Sequence, residues 1–489
     1  MSDANKRTKS LGIFALAMIN VAAVLSLRNY PAMAEYGWSA IGWYFIGTIT
    51  FLLPLTLAAA ELATGWPKGG GVFAWVKEAF GDKSGFIAVF CEWSNNLVWF
   101  PTVLAFIAST LAFALSPSLA ANGLYMFVVM MIVFWGTTLV ALLGSKASSR
   151  FQSFGVIAGT ILPGAMIIAL GVWYVIAGKP IQLPAFSLPA IVPKFDLSTL
   201  PFISTIVLMF AGMEMAGFHA LEVRNPQTDY PKGLFLSASL IFVLTVLGTL
   251  AISFVVPVAH LNLAAGLMQA FQDFFAALNL SWLLVPLAVM VVLGGIALLA
   301  SWLIGPALGL GVVAREGNMP PMFSRHNKRG APTAVLILQA GIGTVISLLY
   351  VFIPGVSNVY WILSAMTVLL LCIAYMFVFA SVIKLRHTQP DVPRAFKIPG
   401  GTPGVWLIGG IGFVATALSF VVSLFPTGGM HIPVVLYVAV MLIGTALLAL
   451  PPLVFLKLKK PSWITEVLSS TQRPNEDSSA VPKPTPVKR

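Results

Sequence analysis

Residues 11–37 read LGIFALAMINVAAVLSLRNYPAMAEYG, and the class of the whole chain follows from how this stretch is understood. Its first part, Leu11 to Leu27, is apolar and follows Lys6, Arg7 and Lys9, the layout of a secretory leader. A leader would end in a small-x-small cleavage site followed by a soluble region. Further apolar runs follow here instead, so the stretch reads as a retained first membrane helix. Runs of the same kind recur at about 39–63, 84–115, 122–143, 151–177, 199–220, 233–257, 283–313, 332–353, 358–385, 403–426 and 432–456. Each is long enough to cross a hydrocarbon core about 30 Å thick. The 489 residues are 58% hydrophobic and 9% charged, against about 25% charged in soluble domains. The expectation is an all-α membrane protein with twelve transmembrane helices.

The net charge of +12 would suit nucleic acid if it lay on one soluble face, but its placement points to lipid. Lys179 and Lys194 fall in outer segments and Arg28 lies within the first span; the other 25 of the 28 Lys and Arg residues fall on one side. This is the positive-inside asymmetry, and it puts both termini in the cytoplasm. An odd helix count would scatter the same charges over both faces. The basic loops are Trp66 to Lys83, Lys146 to Arg150, Arg224 to Lys232, Arg315 to Gly330 and Lys384 to Gly401. Leu263 to Leu278 reads as an amphipathic helix on the outer surface. The Pro-rich tail, Pro461 to Arg489, is too polar to bury a core and is expected to be disordered.

Two spans are interrupted. The first carries Arg28-Asn29-Tyr30-Pro31 inside its apolar run, and the sixth carries Gly212-Met213-Glu214-Met215-Ala216-Gly217 in its middle. Broken helices at matching positions of two halves mark the binding site of a secondary transporter, because unwound backbone exposes N–H and C=O groups at membrane depth. A charge such as Arg28 costs at least about 2.5 kcal/mol there unless paired or hydrated. Arg28 is therefore either a bidentate partner for a substrate carboxylate, an internal partner of Glu214, or a side chain that snorkels to the outer interface. Glu214, near mid-membrane, is a candidate for substrate or proton handling. His219 is a candidate pH sensor or a packing histidine. Glu222 and Arg224 are candidates for a gating salt bridge, and Glu61 for an inner-gate or loop-anchoring carboxylate. The cluster Glu92-Trp93-Ser94-Asn95-Asn96 lines a cavity or serves as polar glue between helices.

Several chemistries are excluded. The run Pro67-Lys68-Gly69-Gly70-Gly71 lacks the ending and strand context of a phosphate-binding loop, so transport is expected to draw on gradients rather than ATP. Cys91 and Cys372 both lie in apolar runs, and no zinc-type spacing or serine-nucleophile motif occurs. Neither a metal, a cofactor nor an enzymatic activity is expected.

The segments Tyr30-Pro31-Ala32-Met33-Ala34, Glu61-Leu62-Ala63-Thr64 and Gly69-Gly70-Gly71-Val72-Phe73-Ala74-Trp75-Val76 form an ordered set with later ones. These are Glu222-Val223-Arg224-Asn225-Pro226, Asp229-Tyr230-Pro231, Ala300-Ser301-Trp302-Leu303-Ile304-Gly305-Pro306 and Ile398-Pro399-Gly400-Gly401. With this set, from about residue 11 to 456, the chain resembles the amino acid–polyamine–organocation superfamily, and within it the bacterial glutamate/γ-aminobutyrate antiporter group. The resemblance implies a LeuT-like five-plus-five inverted repeat. Residues 1–10 would be a cytoplasmic segment, 11–177 the first five-helix repeat and 199–385 the second. Helices 11 and 12, over 403–456, would be added at the side, ahead of the tail 461–489.

It further implies a multi-pass protein of the bacterial inner membrane with a central site between helices 1 and 6. Carried over by position, that site would hold Ala22, Ala23 and Arg28 from helix 1 and Gly212, Met213 and Glu214 from helix 6. Trp302 and Tyr375 would wall it from helices 8 and 10. The chain departs from the pattern in reading Val21-Ala22-Ala23-Val24 where the family has a glycine-rich break, and Leu298 where an acid is expected. Its tail also lacks the histidine of an acid-gated plug. Arg28 and Leu298 together favour an anionic or neutral amino acid over a cationic one. Exchange of glutamate for γ-aminobutyrate is the leading expectation. An ion-coupled neutral amino-acid symporter and an amino-acid sensor are the rivals, and a homodimer stays open.

Overall fold

Inside a bilayer the backbone finds no water, so each apolar run closes its hydrogen bonds within itself as a helix. The computed structural model describes residues 11–194, 206–207, 209–257, 261, 266–352, 356–426 and 433–464, with backbone alone at 145–150, 220–222 and 356–361. Among these residues the only extended pairing is a parallel bridge between Leu11 and Val223. Eleven helices of the described residues are long and apolar enough to cross a membrane. They are α1 (Ile13–Ala34), α2 (Ser39–Gly65), α3 (Asp82–Leu115), α4 (Gly123–Leu142) and α5 (Phe151–Ile176). After the interrupted segment α6 (206–222) come α7 (Pro226–Val255), α8 (Ser281–Arg315), α9 (Thr333–Phe352), α10 (Ile362–Thr388), α11 (Gly401–Val422) and α12 (Val434–Lys457). The sixth expected span, 199–220, lies partly outside the described residues. Its described part is broken, so it does not register as one long helix.

Burial sorts these helices into a centre and a rim. The apolar window of α3 is 83% buried and that of α12 only 22%. α3 packs against both α8 and α10, while α1 packs against α7. A helix apolar all round and buried all round is a core element even in a membrane protein. The helix Gly266–Ala277 turns Leu267, Phe271, Phe274 and Phe275 inward and packs on α7 and α8. Of the tail, only 461–464 lies within the described residues, and it is helical.

Two local features set the central geometry. In α1 the helical turns end at Val24, Leu25 and Ser26 are extended, and the chain restarts through Leu27–Asn29 into Tyr30–Ala34. Pro31 sits in the first turn of that restart, where its missing N–H costs nothing. In α6 the helix stops before Gly212, whose φ of +117° only glycine adopts without strain. A tight 3₁₀ run, Met215–Glu222, follows. Elsewhere glycine permits backbone contact. A Cβ at Gly159 of α5 would lie 2.1 Å from Gly294 N of α8, and one at Gly294 would lie 2.2 Å from Gly159 O.

Candidate functional site

A helix that stops in mid-membrane leaves carbonyls and amides without their intrahelical partners. Side chains from other helices take up several of these. Trp302 Nε1 of α8 donates to Ala23 O at the end of the first part of α1, at 2.9 Å. Across the break of α6, Gly212 N donates to the Tyr375 hydroxyl of α10 at 2.9 Å, and that hydroxyl donates to Glu214 Oε1 at 2.9 Å. Ala216 N donates to Asn20 Oδ1 at 3.2 Å, tying α6 back to α1. The two breaks adjoin each other. A Cβ on Gly212 would meet Val24, Ala23 and Trp302 at 3.1 to 3.2 Å.

Beside these breaks lies a small cavity lined by Ala23, Ser26, Arg28, Asn95, Trp99, Ala211, Leu298, Trp302 and others. Its volume is ≈ 20 Å³. That holds about one water, so an amino acid enters only if the surrounding helices part. Arg28 is 3% exposed. Its Nη1 donates to Thr102 Oγ1 of α3 at 2.7 Å, and its guanidinium lies 5.9 Å from the centre of the Trp99 ring. Thr102, next to Pro101 inside the continuous α3, in turn donates to Trp99 O. Trp99 and Trp302 pack with ring centres 5.5 Å apart.

Of the residues singled out in the sequence, Ala23, Arg28 and Trp302 line the cavity. Gly212, Glu214 and Tyr375 form the hydrogen-bonded group next to it. Ala22 and Met213 are buried within α1 and α6 without lining the space. His219 is buried in the 3₁₀ run, and the Glu222 side chain lies outside the described residues. Arg224 has an exposed side chain, while its N–H donates to Leu11 O at 2.9 Å.

Glu61 lies away from the cavity, fully buried between two arginines. Arg386 donates to both its oxygens, Arg394 Nη1 donates to Oε1 at 2.8 Å, and Ile398 N donates to Oε2 at 2.8 Å. The segment between α10 and α11 is thereby bound to the end of α2. On the short helix Val72–Phe80, hydrogen bonds from Lys68 and Gln389 hold Glu78 below the ordinary range of a carboxylate.

The geometry adds residues to those carried over as the central site, two of which, Asn95 and Leu298, the sequence had marked as a candidate cavity liner and a missing acid. Asn95, Trp99, Leu298 and Leu371 line the cavity, and Thr102 holds Arg28. Glu92 of α3 lies near enough to Glu214 for the two buried carboxyls to interact electrostatically. The signal for Asn95 and Glu92 was their clustering in an apolar run. Trp99 and Leu371 carried none, because apolar residues on an all-apolar helix look alike.

Comparison with known proteins places this arrangement. The chain is 40% identical over 446 residues to an uncharacterised transporter of Legionella pneumophila, covering 91% of this chain and 96% of that one. It is 29% identical over 425 residues to a glutamate/γ-aminobutyrate antiporter of Lactococcus lactis, covering 86% of this chain and 84% of the other. Among solved structures, the crystal structure of MhsT in complex with L-phenylalanine superposes with a TM-score of 0.60 at 16% identity. That match covers 85% of this chain and all of the other. It bears out the LeuT-like all-α fold. A family model described as amino acid permease matches residues 11–447. With its multi-pass bundle and paired helix breaks at the centre, the chain belongs to this family of membrane transporters rather than to any class of enzyme.

Proposed function

We propose that the protein is an amino-acid antiporter of the bacterial inner membrane, with both termini cytoplasmic, that exchanges glutamate for γ-aminobutyrate. The observation that carries this reading is Arg28, a buried guanidinium on the broken first helix that lines the central cavity together with the apolar Leu298. A cation in an apolar wall selects for a carboxylate, since a second buried cation would be repelled. The Lactococcus lactis relative named as a glutamate/γ-aminobutyrate antiporter supports the substrate pair. Substrate ammonium and carboxylate groups would meet the backbone freed at the breaks near Ala23 and Gly212, with Arg28 engaging the side-chain carboxylate. The collapsed cavity corresponds to a closed state between the two open ones of alternating access.

Counterflow in proteoliposomes tests this. Vesicles preloaded with unlabelled glutamate, γ-aminobutyrate, glutamine, leucine or arginine are offered labelled glutamate. Uptake confined to glutamate- or γ-aminobutyrate-loaded vesicles is the expected result. Uptake into empty vesicles driven by a pH or sodium gradient would replace exchange with ion-coupled symport. The buried carboxyls of Glu92 and Glu214 keep that second reading in play.

A further inference from the structure

The substrate reading leaves one buried acid unused. Glu92 has no exposed surface, Glu214 is 1% exposed, and their carboxyl groups lie near enough to interact between α3 and α6. Glu92 Oε1, Glu92 Oε2 and Glu214 Oε2 meet no hydrogen-bond donor among the described residues. Neither acid joins an ion pair there. The nearby polar groups are already engaged. The Tyr375 hydroxyl gives its proton to Glu214 Oε1, and the side-chain amides of Asn95 and Asn96 donate to the backbone carbonyl of Glu92 rather than to its carboxyl.

An ionised carboxylate only accepts hydrogen bonds, so two of them this close would repel and leave three buried acceptors bare. One proton changes this. Placed on either acid, it allows an O–H···O bond between them and supplies a missing donor. The titratable group in direct contact is Tyr375 from α10; His219 lies five residues further along α6, and Arg28 of α1 donates to Thr102. α8 presents the neutral Trp302, which is bonded to Ala23 O.

We propose that Glu92 and Glu214 form a proton-binding site in which the two carboxyls share one proton, released and regained as α6 moves against α3 in each transport cycle. With the helices together the proton lies between the acids. When α6 withdraws, water reaches both oxygens and the proton leaves to the open side; no other bond changes. The proposal rests on alternating-access transport and not on which amino acids are exchanged.

The test uses the full-length protein in two measurements. Infrared difference spectra of the purified protein, with no substrate present, should show a protonated carboxylic-acid band in the wild type that Glu92→Gln and Glu214→Gln each remove. In proteoliposomes, counterflow of whichever amino acid is exchanged is followed over a range of pH equal on both sides of the membrane. Its rate should change about tenfold per pH unit on the titrating limb, as for one proton. Glu92→Gln supplies a permanent amide donor, so its rate should vary less than about twofold over the same range. A band retained in both variants, or a Glu92→Gln profile that follows the wild type, would overturn the proposal. If the band behaves as expected but no amino acid is exchanged, the proton site stands and the transport reading falls.

Discussion

Tyr375 holds two groups with one oxygen, accepting from Gly212 N and donating to Glu214 Oε1. Tyr375→Phe removes that oxygen alone and leaves a buried amide and a buried carboxyl oxygen without partners. The expected cost is about 1–3 kcal/mol of stability, read as a lower thermal unfolding midpoint in detergent; an unchanged midpoint would mean that other groups replace the hydroxyl. Arg28→Ala should weaken uptake of acidic amino acids roughly ten- to hundredfold, the worth of a charged hydrogen bond, and neutral ones much less. Equal loss for both would reject Arg28 as the selector. Residues such as Arg28 and Gly212-Met213-Glu214 were legible beforehand because a charge or paired glycines interrupt an apolar run. Thr102 and Trp99 were not, since α3 is buried on nearly every side and has no polar stripe to orient it. Glu92 was visible as a charge, but its approach to Glu214 depends on how α3 and α6 pack, which no local pattern encodes.

At the scale of elements, the crossing of α5 and α8 depends on two glycines, with each Cβ position occupied by the other helix's backbone. Small residues at such crossings let helices in lipid approach closely. Gly294→Val should therefore separate α5 from α8 and lower the yield of folded protein, whereas Gly341→Val, with open space at its Cβ position, should not. Size-exclusion profiles of the two variants check this. Glu61 is the other joint, linking α2 to Arg386 at the end of α10 and to Arg394 beyond it. Breaking a buried pair of this kind costs about 3–5 kcal/mol, so Glu61→Gln should lower the unfolding midpoint and expose the 389–398 segment to protease. Glu78, beside this joint, has a lowered pKa in the folded state. Its contribution is present above the ordinary value of 4.5 and is lost as pH falls through the folded value, so protease sensitivity of this face should rise in acid. The hydropathy of the spans was plain in the sequence, and so was Glu61 as a carboxylate near the inner end of α2. Its two arginines were not, because they follow it by 325 and 333 residues. The start of α7 was missed for a different reason. Helix begins at Pro226 rather than near 233, because its first two turns are polar and Asp229 accepts from Asn225 N at 3.2 Å.

For the molecule as a whole, α1 and α6 are joined where α1 begins and α6 ends. Leu11 and Val223 form a parallel bridge there, and Arg224 N donates to Leu11 O. The central cavity is too small for an amino acid, so a route to it opens only when helices part, and this backbone pairing between α1 and α6 has to break if those two helices separate. Partners in such a bridge sit near the usual strand spacing of about 4.8 Å, within the roughly 4.4–6.8 Å between Cα atoms that a disulfide spans. Cys91 and Cys372 are both buried and are replaced by alanine to give a clean background. In that background Leu11→Cys with Val223→Cys should crosslink on oxidation. Labelled-substrate exchange in proteoliposomes should then stop and return when a reductant is added, while either single cysteine leaves it unaffected. Exchange that survives the crosslink would show instead that α1 and α6 travel together, as one rigid body rocking against α3 and α8.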